Sequence, residues 1–288
     1  MTMMTRRNAL AMMAAPLMAE RTKPELVLFS KHAAKLSYEE LGKVPKQMGY
    51  DGIDLTARPK GHVLPENVAR DLPRAVEAIR AGGLSVPMIT TDVKTASDPA
   101  AVATLETAGK LKIPYWKIGY TRYKGGQGVE QTLAAMKGEI AKLAAMSAKY
   151  GVTAGMHNHS GDYVGSPVWD TREMIRELPE QAIGYYFDPA HATIEGGLGG
   201  FSISLDIVLP RMKMVAVKDF VWQKDKTGKW DAVWCPLGQG MVDWKRFFTR
   251  LKAANYTGPI SVHVEYPVKD ELQAMADDLA TLKKLMAG

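Results

Sequence analysis

Two hydrophobic rhythms alternate along this chain. Short runs of β-branched and other apolar residues are each followed by a longer stretch in which apolar positions return every three or four residues, the strand and helix periods of a parallel βα unit. The runs predict strands over Leu26 to Ser30, Gly52 to Thr56, Leu84 to Thr90, Tyr115 to Gly119, Val152 to His157, Ile183 to Asp188, Met212 to Lys218 and Ile260 to Glu265. The longer stretches predict helices over Tyr38 to Met48, Glu66 to Ala81, Ala100 to Leu111, Glu130 to Tyr150, Arg172 to Leu178, Asp243 to Ala254 and Glu271 to Met286. Ser37 with Glu40 and Asp170 with Glu173 have the spacing of helix-capping boxes. Gly49, the Gly82-Gly83 pair and Gly151 stand where helices must turn back into strands, positions that favour a left-handed residue.

Eight such units with no break in composition predict an α/β fold, a closed (β/α)8 TIM barrel spanning residues 20–288 as one domain. An open doubly wound sheet would need a glycine-rich nucleotide loop after the first strand, and Phe29-Ser30-Lys31-His32 stands there instead. The stretch Asp219 to Met241 is expected to be irregular, a lid or substrate wall following the seventh strand.

The length of 288 residues suits one barrel, and 46% apolar with 24% charged residues marks a globular protein rather than a disordered one. Cys235 is the single cysteine, so an internal disulfide and a cysteine-based zinc motif are both excluded, and a metal would have to be held by His, Asp and Glu. Residues 1–19 read as an export signal of twin-arginine type. Arg6 and Arg7 precede a weakly apolar run ending at Ala19, too short for a permanent membrane anchor. The protein is therefore expected to be periplasmic or secreted. Removal of that segment takes away two arginines and no acid, lowering the net charge from +6 to +4. With no dense basic run, a pI near 9.2 does not imply a nucleic-acid partner.

Catalytic groups of barrels project from strand ends on one face. Here those ends read Met156-His157-Asn158-His159, Phe187-Asp188-Pro189-Ala190-His191, Val217-Lys218-Asp219 and His263-Val264-Glu265-Tyr266. Side chains two apart share a strand face, which pairs His157 with His159, His263 with Glu265, and Ala216 with Lys218. Asp188, Glu265 and His157 form a mixed oxygen and nitrogen set suited to Mn, Mg, Co or Zn. The alternative is a charge cluster in which Lys218 pairs with Asp188 or Glu265. Arg58 and His62 lie in the second βα loop and are candidate substrate contacts, as are His159, His191 and His263. Lys31, His32 and Lys117 are further candidates. Trp222, Trp230 and Trp234 in the lid offer indole faces on which a sugar could stack.

The order of these endings, with Pro236-Leu237-Gly238-Gln239-Gly240 before the last helices, resembles the xylose isomerase-like sugar phosphate isomerase/epimerase superfamily from about Leu26 onward. The resemblance implies a divalent metal held by Glu, Asp, His and Glu from four strand ends, with Asp188 and Glu265 at two of those places. His157 stands where Glu is usual and Ala216 where His is usual, so one of the family's two acid/base glutamates is missing. The implied activity is a sugar isomerase/epimerase. Glu265 would remove the proton next to a carbonyl and Lys218 would help to hold the oxyanion, with a one-base route expected. A lyase acting on 3-keto-glycosides and a non-catalytic sugar-binding barrel are the alternatives. The expected partner is a small carbohydrate, with homo-oligomer formation left open. A DNA-repair endonuclease, also found in the superfamily, fits neither export nor the absence of a basic stripe.

If residues 1–19 are an export signal, mass spectrometry of the exported protein should find a mature chain beginning near Glu20. An intact amino terminus on that protein would refute the reading.

Overall fold

The computed structural model describes residues 23–126 and 128–288, so the segment expected to be an export signal lies outside the described residues. The barrel strands are buried along almost their whole length, as parallel strands must be when helices cover one side and the sheet closes on itself on the other. They are β1 (Leu26–Phe29), β2 (Gly52–Ala57), β3 (Ser85–Thr91), β4 (Tyr115–Lys117), β5 (Thr153–His157), β6 (Ile183–Phe187), β7 (Met212–Val217) and β10 (Ile260–Val262); β8 (Asp219–Lys224) and β9 (Trp230–Cys235) form a separate antiparallel hairpin. Around the barrel the order is β1-β10-β7-β6-β5-β4-β3-β2, every pairing parallel, and β1 on β10 closes the ring.

Helices α1 (Tyr38–Met48), α2 (Val68–Ala81), α3 (Ala101–Lys110), α4 (Val129–Tyr150), α5 (Val168–Ile175), α6 (Pro189–Val208), α7 (Trp244–Ala253) and α8 (Glu271–Ala287) complete the eight units. The main core lies between helices and sheet. A second cluster fills the barrel interior, with Val27, Met88, Tyr186, Met214 and Ala216 packed together. Gly155 makes room for it, since a Cβ there would lie 2.0 Å from Met214 Cε.

The expected Ser37–Glu40 capping box is present on α1, and Gly49, Gly83 and Gly151 adopt positive φ. Other local expectations need correcting. Asp170 does not cap α5, which begins earlier, after Pro167; its carboxylate instead accepts from the Tyr123 hydroxyl at 2.6 Å. Gly82 is right-handed, leaving Gly83 to make the turn.

Helix α6 is absent from the sequence reading because its glycines look like a loop. Asp188 starts it by accepting from the N–H groups of Ala190 and His191, with Pro189 preset for the first turn, and the backbone kinks at Gly197. With its continuation to Arg211, its length and mean hydropathy of 1.3 would suit a membrane span, yet Phe201, Leu205 and Val208 are spent on the barrel core.

The segment expected to be irregular is largely the β8–β9 hairpin. Asp225 organises its turn by accepting from the N–H groups of Thr227 and Lys229. The buried Asp219 anchors its base, accepting from Gly238 N–H at 3.0 Å and from Trp244 Nε1–H at 2.8 Å.

Helices α1 and α2 touch through glycine. A Cβ at Gly42 would stand 2.8 Å from the Ala78 carbonyl oxygen and 3.1 Å from Ile79 Cα. Gly42→Ala gains about 1 kcal/mol of helix propensity, but the overpacking costs about 1–3 kcal/mol. Urea denaturation should show a net loss of stability, and a variant more stable than the parent would show that the two helices can separate freely.

Candidate active site

The strand carboxyl ends surround a cavity of about 270 Å³, near the small end of ligand pockets and suited to a molecule the size of one sugar ring. Trp234 from the hairpin lines it, as do residues following β1, β2, β4, β5, β7 and β10. Its polar groups fall into two clusters and a floor.

The first cluster centres on Asp188, which is fully buried. One carboxylate oxygen, Oδ1, caps α6, while the other, Oδ2, lies 3.2 Å from Lys218 Nζ, 3.5 Å from His157 Nε2 and 3.8 Å from His191 Nε2. Burial alone would raise the carboxyl pKa, but Lys218 and the imidazoles outweigh it and hold it well below the usual range. Lys218 Nζ also donates to His191 Nε2 at 2.7 Å, so His191 carries its proton on Nδ1 and gives it to Ser160 Oγ at 2.8 Å. The Tyr120 hydroxyl lies 2.9 Å from His157 Nδ1. Donation there leaves His157 Nε2–H facing Asp188, and burial pushes this imidazole down to about 4.

The second cluster centres on Glu265. Oε2 accepts from Lys31 Nζ at 2.9 Å, while Oε1 lies 3.9 Å from both His32 Nε2 and His263 Nδ1. Burial raises this carboxyl, but Lys218 and Lys31 more than compensate and leave it below its ordinary value. The acid is ionised at neutral pH.

The floor is a hydrogen-bonded chain inside the barrel. Asp54 accepts from Thr90 Oγ1 at 2.8 Å, Ser261 Oγ at 2.9 Å and the Tyr186 hydroxyl at 3.0 Å, and that hydroxyl lies 3.1 Å from His263 Nε2. Because Tyr186 gives its only proton to Asp54, its oxygen accepts from His263 Nε2–H.

Across the cavity Lys117, at the end of β4, is 2% exposed, with Nζ 3.3 Å from the centre of the Tyr120 ring. Burial, with Arg58 adding repulsion, lowers its ammonium to about 7. Arg58 lines the same cavity, 5.7 Å from the Phe29 ring.

Most of the strand-end candidates therefore converge. His157, Lys218, Glu265, His159, His263 and Arg58 all line the cavity, with Asp188 and His191 directly behind. The three residues expected to hold a cation divide between the clusters: Asp188 and His157 lie together, and Glu265 stands with His32 and His263. His62 lies away from the cavity lining, its Nδ1 3.3 Å from Thr56 Oγ1 and its Nε2 3.2 Å from the Ala33 carbonyl oxygen. Of the lid tryptophans, Trp234 reaches the cavity, its ring 4.4 Å from Lys218 Nζ, whereas Trp222 and Trp230 lie outside the lining. Alternation along β9 could not have selected Trp234, because Trp230 and Trp234 share one face of the strand; Trp234 differs in pairing with Phe220 near the base of the hairpin, while Trp230 pairs with Lys224 at its far end. Tyr120, Tyr186 and Asp54 escaped the sequence reading because they lie below or beyond the strand-end motifs.

The sequence profile of the xylose isomerase-like TIM barrel family matches residues 44–285. No curated protein matches the sequence. Among solved structures, the chain resembles 3-keto-D-glucoside 4-epimerase YcjR from E. coli (TM-score 0.69, 17% identity, 91% of this chain and 100% of that one). It also resembles D-allulose 3-epimerase from Methylomonas sp. in complex with D-allulose (TM-score 0.68, 16% identity, 91% and 97%). A third likeness is to a xylose isomerase-like TIM barrel protein from Mycobacterium smegmatis in complex with magnesium (TM-score 0.70, 15% identity, 92% and 97%). At these identities the likeness is one of fold.

Asp54 should leave a mark on stability. Burial raises its carboxyl from 3.8 to about 6, so its contribution is fully present below 3.8 and is lost as pH rises through 6, a change of about 3 kcal/mol. Asp54→Asn removes that term. Denaturant titrations should therefore show the variant gaining about 2 kcal/mol of that change relative to the parent between pH 4 and 6.5, and a pH-independent difference would show that Asp54 titrates normally.

Proposed function

The chain belongs to the xylose isomerase-like TIM barrel family, and from that premise we propose that it is a sugar isomerase/epimerase-type enzyme that moves a proton at a carbon next to a carbonyl, with Glu265 and Lys117 as its acid/base pair. The observation that carries this reading is their placement. In the ring order, β10, which leads to Glu265, and β4, which carries Lys117, are diametrically opposed. Both side chains line the cavity between them.

The sequence alone suggested a one-base route, because the strand-five glutamate of the family is replaced by His157. A buried amine from the neighbouring strand supplies a second base. An ammonium lowered to about 7 populates both protonation states near neutrality, as a group that must both take and give a proton requires.

The ionised Glu265 takes the α-proton, leaving an enediolate, and protonated Lys117 returns a proton to the opposite face; the reverse reaction exchanges their roles. Since Glu265 is a weak base, the substrate proton must be made more acidic. The Lys218 ammonium can do so by facing the developing oxyanion. A divalent cation bound in the cavity would add polarisation of the same carbonyl. Trp234 and Tyr120 offer aromatic surface to the sugar ring. An exported enzyme would meet this substrate outside the cytoplasm.

The test is incubation of ketoses and 3-keto-glycosides in deuterated water, with nuclear magnetic resonance of the products. The parent should interconvert epimers with deuterium at the inverted carbon, and Glu265→Gln should lower kcat by roughly 10²–10⁴. Lys117→Met should lose interconversion while still washing deuterium into the epimer whose proton faces Glu265. Full interconversion by Lys117→Met would eliminate the second base, and release of the aglycone would establish a lyase instead.

A further inference from the structure

The residues that the family resemblance assigns to metal do not suit a cation at Asp188. A positive charge already stands 3.2 Å from Asp188 Oδ2, that of Lys218, and a divalent ion on the same oxygen would meet it at close range. His191 of that cluster is committed, using Nδ1 on Ser160 and Nε2 on Lys218. His157 accepts the Tyr120 proton on Nδ1, which leaves Nε2 protonated, a buried donor without a hydrogen-bond partner 3.5 Å from the equally unpartnered Asp188 Oδ2, and so with no lone pair for a cation.

Glu265 divides its oxygens differently: Lys31 Nζ holds Oε2 at 2.9 Å, and Oε1 is left facing two imidazoles. Among the described residues, the one set of three His or carboxylate ligand atoms within 4.8 Å of one another belongs to His32, His263 and Glu265. His32 Nε2 and His263 Nδ1 are buried atoms without a hydrogen-bond partner, and each lies 3.9 Å from the same oxygen, Glu265 Oε1. His263 is 3% exposed, and its other nitrogen donates to Tyr186, whose proton is drawn to Asp54. Its Nδ1 must then present a lone pair. An acceptor is left facing a carboxylate oxygen with no proton between them, an arrangement that a cation resolves. The chain from Asp54 through Tyr186 to His263 is the outer support that commonly fixes the tautomer of a metal-ligating imidazole.

We propose that His32 Nε2, His263 Nδ1 and Glu265 Oε1 form the binding site of this chain for a borderline divalent ion, zinc or cobalt(II), offset from the Asp188 position that the family pattern implies. This deepens the proposed function by placing its Lewis acid, and rests on that reading only for the role of the ion. Two imidazoles and one carboxylate match catalytic zinc sites, which leave a fourth position open, and suit zinc better than magnesium, which prefers oxygen ligands. Bond lengths of about 2.0–2.2 Å in a tetrahedral site put ligand atoms roughly 3.4 Å apart. The two 3.9 Å separations from Glu265 Oε1 need to close by about 0.5 Å, and the third, between the imidazole nitrogens, starts from within 4.8 Å.

The experiment measures bound metal rather than turnover. The full chain, stripped with chelator, loaded with zinc and dialysed, should retain one ion per chain by elemental analysis, and a crystal of it should show zinc anomalous density within bonding distance of these three residues. Loading with cobalt(II) should give the visible absorption of a four-coordinate ion. His32→Ala should remove the ion, Tyr186→Phe should weaken its binding roughly 10–100-fold, and Asp188→Asn should retain it. Density beside Asp188 and His157, retention by a folded His32→Ala protein, or no retained zinc in the parent would overturn the proposal. Absence of epimerase activity would leave a positive zinc result standing, and absence of zinc would leave the assignment of Glu265 and Lys117 to be judged by deuterium exchange.

Discussion

A lysine ammonium and an aspartate carboxylate, both almost fully buried, face each other 3.2 Å apart at the bottom of the site. At an effective dielectric of about 20 their attraction is roughly 5 kcal/mol, against a desolvation penalty of several kcal/mol for each ion. The pair thus adds little net stability, and its consequence is geometric. To keep its charge compensated, Asp188 must present Oδ2 to Lys218 while Oδ1 caps α6, which fixes where that helix begins. Asn158 grips the Asp188 backbone from both sides, donating to its carbonyl and accepting from its N–H. Lys218, turned toward Asp188, places His191, which in turn holds Ser160. The ends of β5, β6 and β7 are thereby locked to one another, so the first cluster is a rigid wall.

That wall determines the chemistry available in the rest of the cavity. With Asp188 compensated, Glu265 is the carboxylate whose charge the cavity lining leaves most accessible, although Lys31 holds one of its oxygens. Burial is the largest influence on both Glu265 and His263, raising the first and lowering the second, and the Lys218 charge that satisfies Asp188 also acts on each, lowering both. One ammonium therefore couples the two clusters without touching the second. It favours an ionised Glu265 and, together with burial, a neutral His263 beside it.

The fold was legible because its signals are local and repeated. Buried parallel strands must be continuously apolar and their helices must return every 3.6 residues, and eight such units leave little choice of architecture. Helix α6 escaped because its glycines carry no periodicity, and its cause, the Asp188 cap, is a side chain that the strand-end reading had already assigned to metal. The strand-end rule found His157, Lys218, His263 and Glu265, since it needs only the end of a strand. It could not sort them into clusters, because β10 stops at Val262 and the direction of Glu265 beyond it is set by Lys31 and His32 from the opposite end of the sequence. His62 and Trp222 show the converse: residue type and loop position suited a sugar contact, but His62 is held by Thr56 and the Ala33 carbonyl, and Trp222 sits farther from the base of the hairpin than Trp234, outside the lining.

Lys117 and Lys218 show why residue type alone is a poor guide to role. Both are buried lysines from the ends of barrel strands, and both line the same cavity. A carboxylate lies 3.2 Å from Lys218, whereas Lys117 meets the face of an aromatic ring and, nearby, the like charge of Arg58. A ring face stabilises an ammonium by only about 0.5–2 kcal/mol, too little to offset burial, so Lys117 releases its proton near neutrality. Lys218 therefore stands as the ion-pair partner of a carboxylate, and Lys117 as a buried amine able to take or give a proton near pH 7. What separates them is Asp188, contributed by a strand adjacent to β7 and two places from β4 in the ring. The division of labour in the site follows from the order in which the barrel closes.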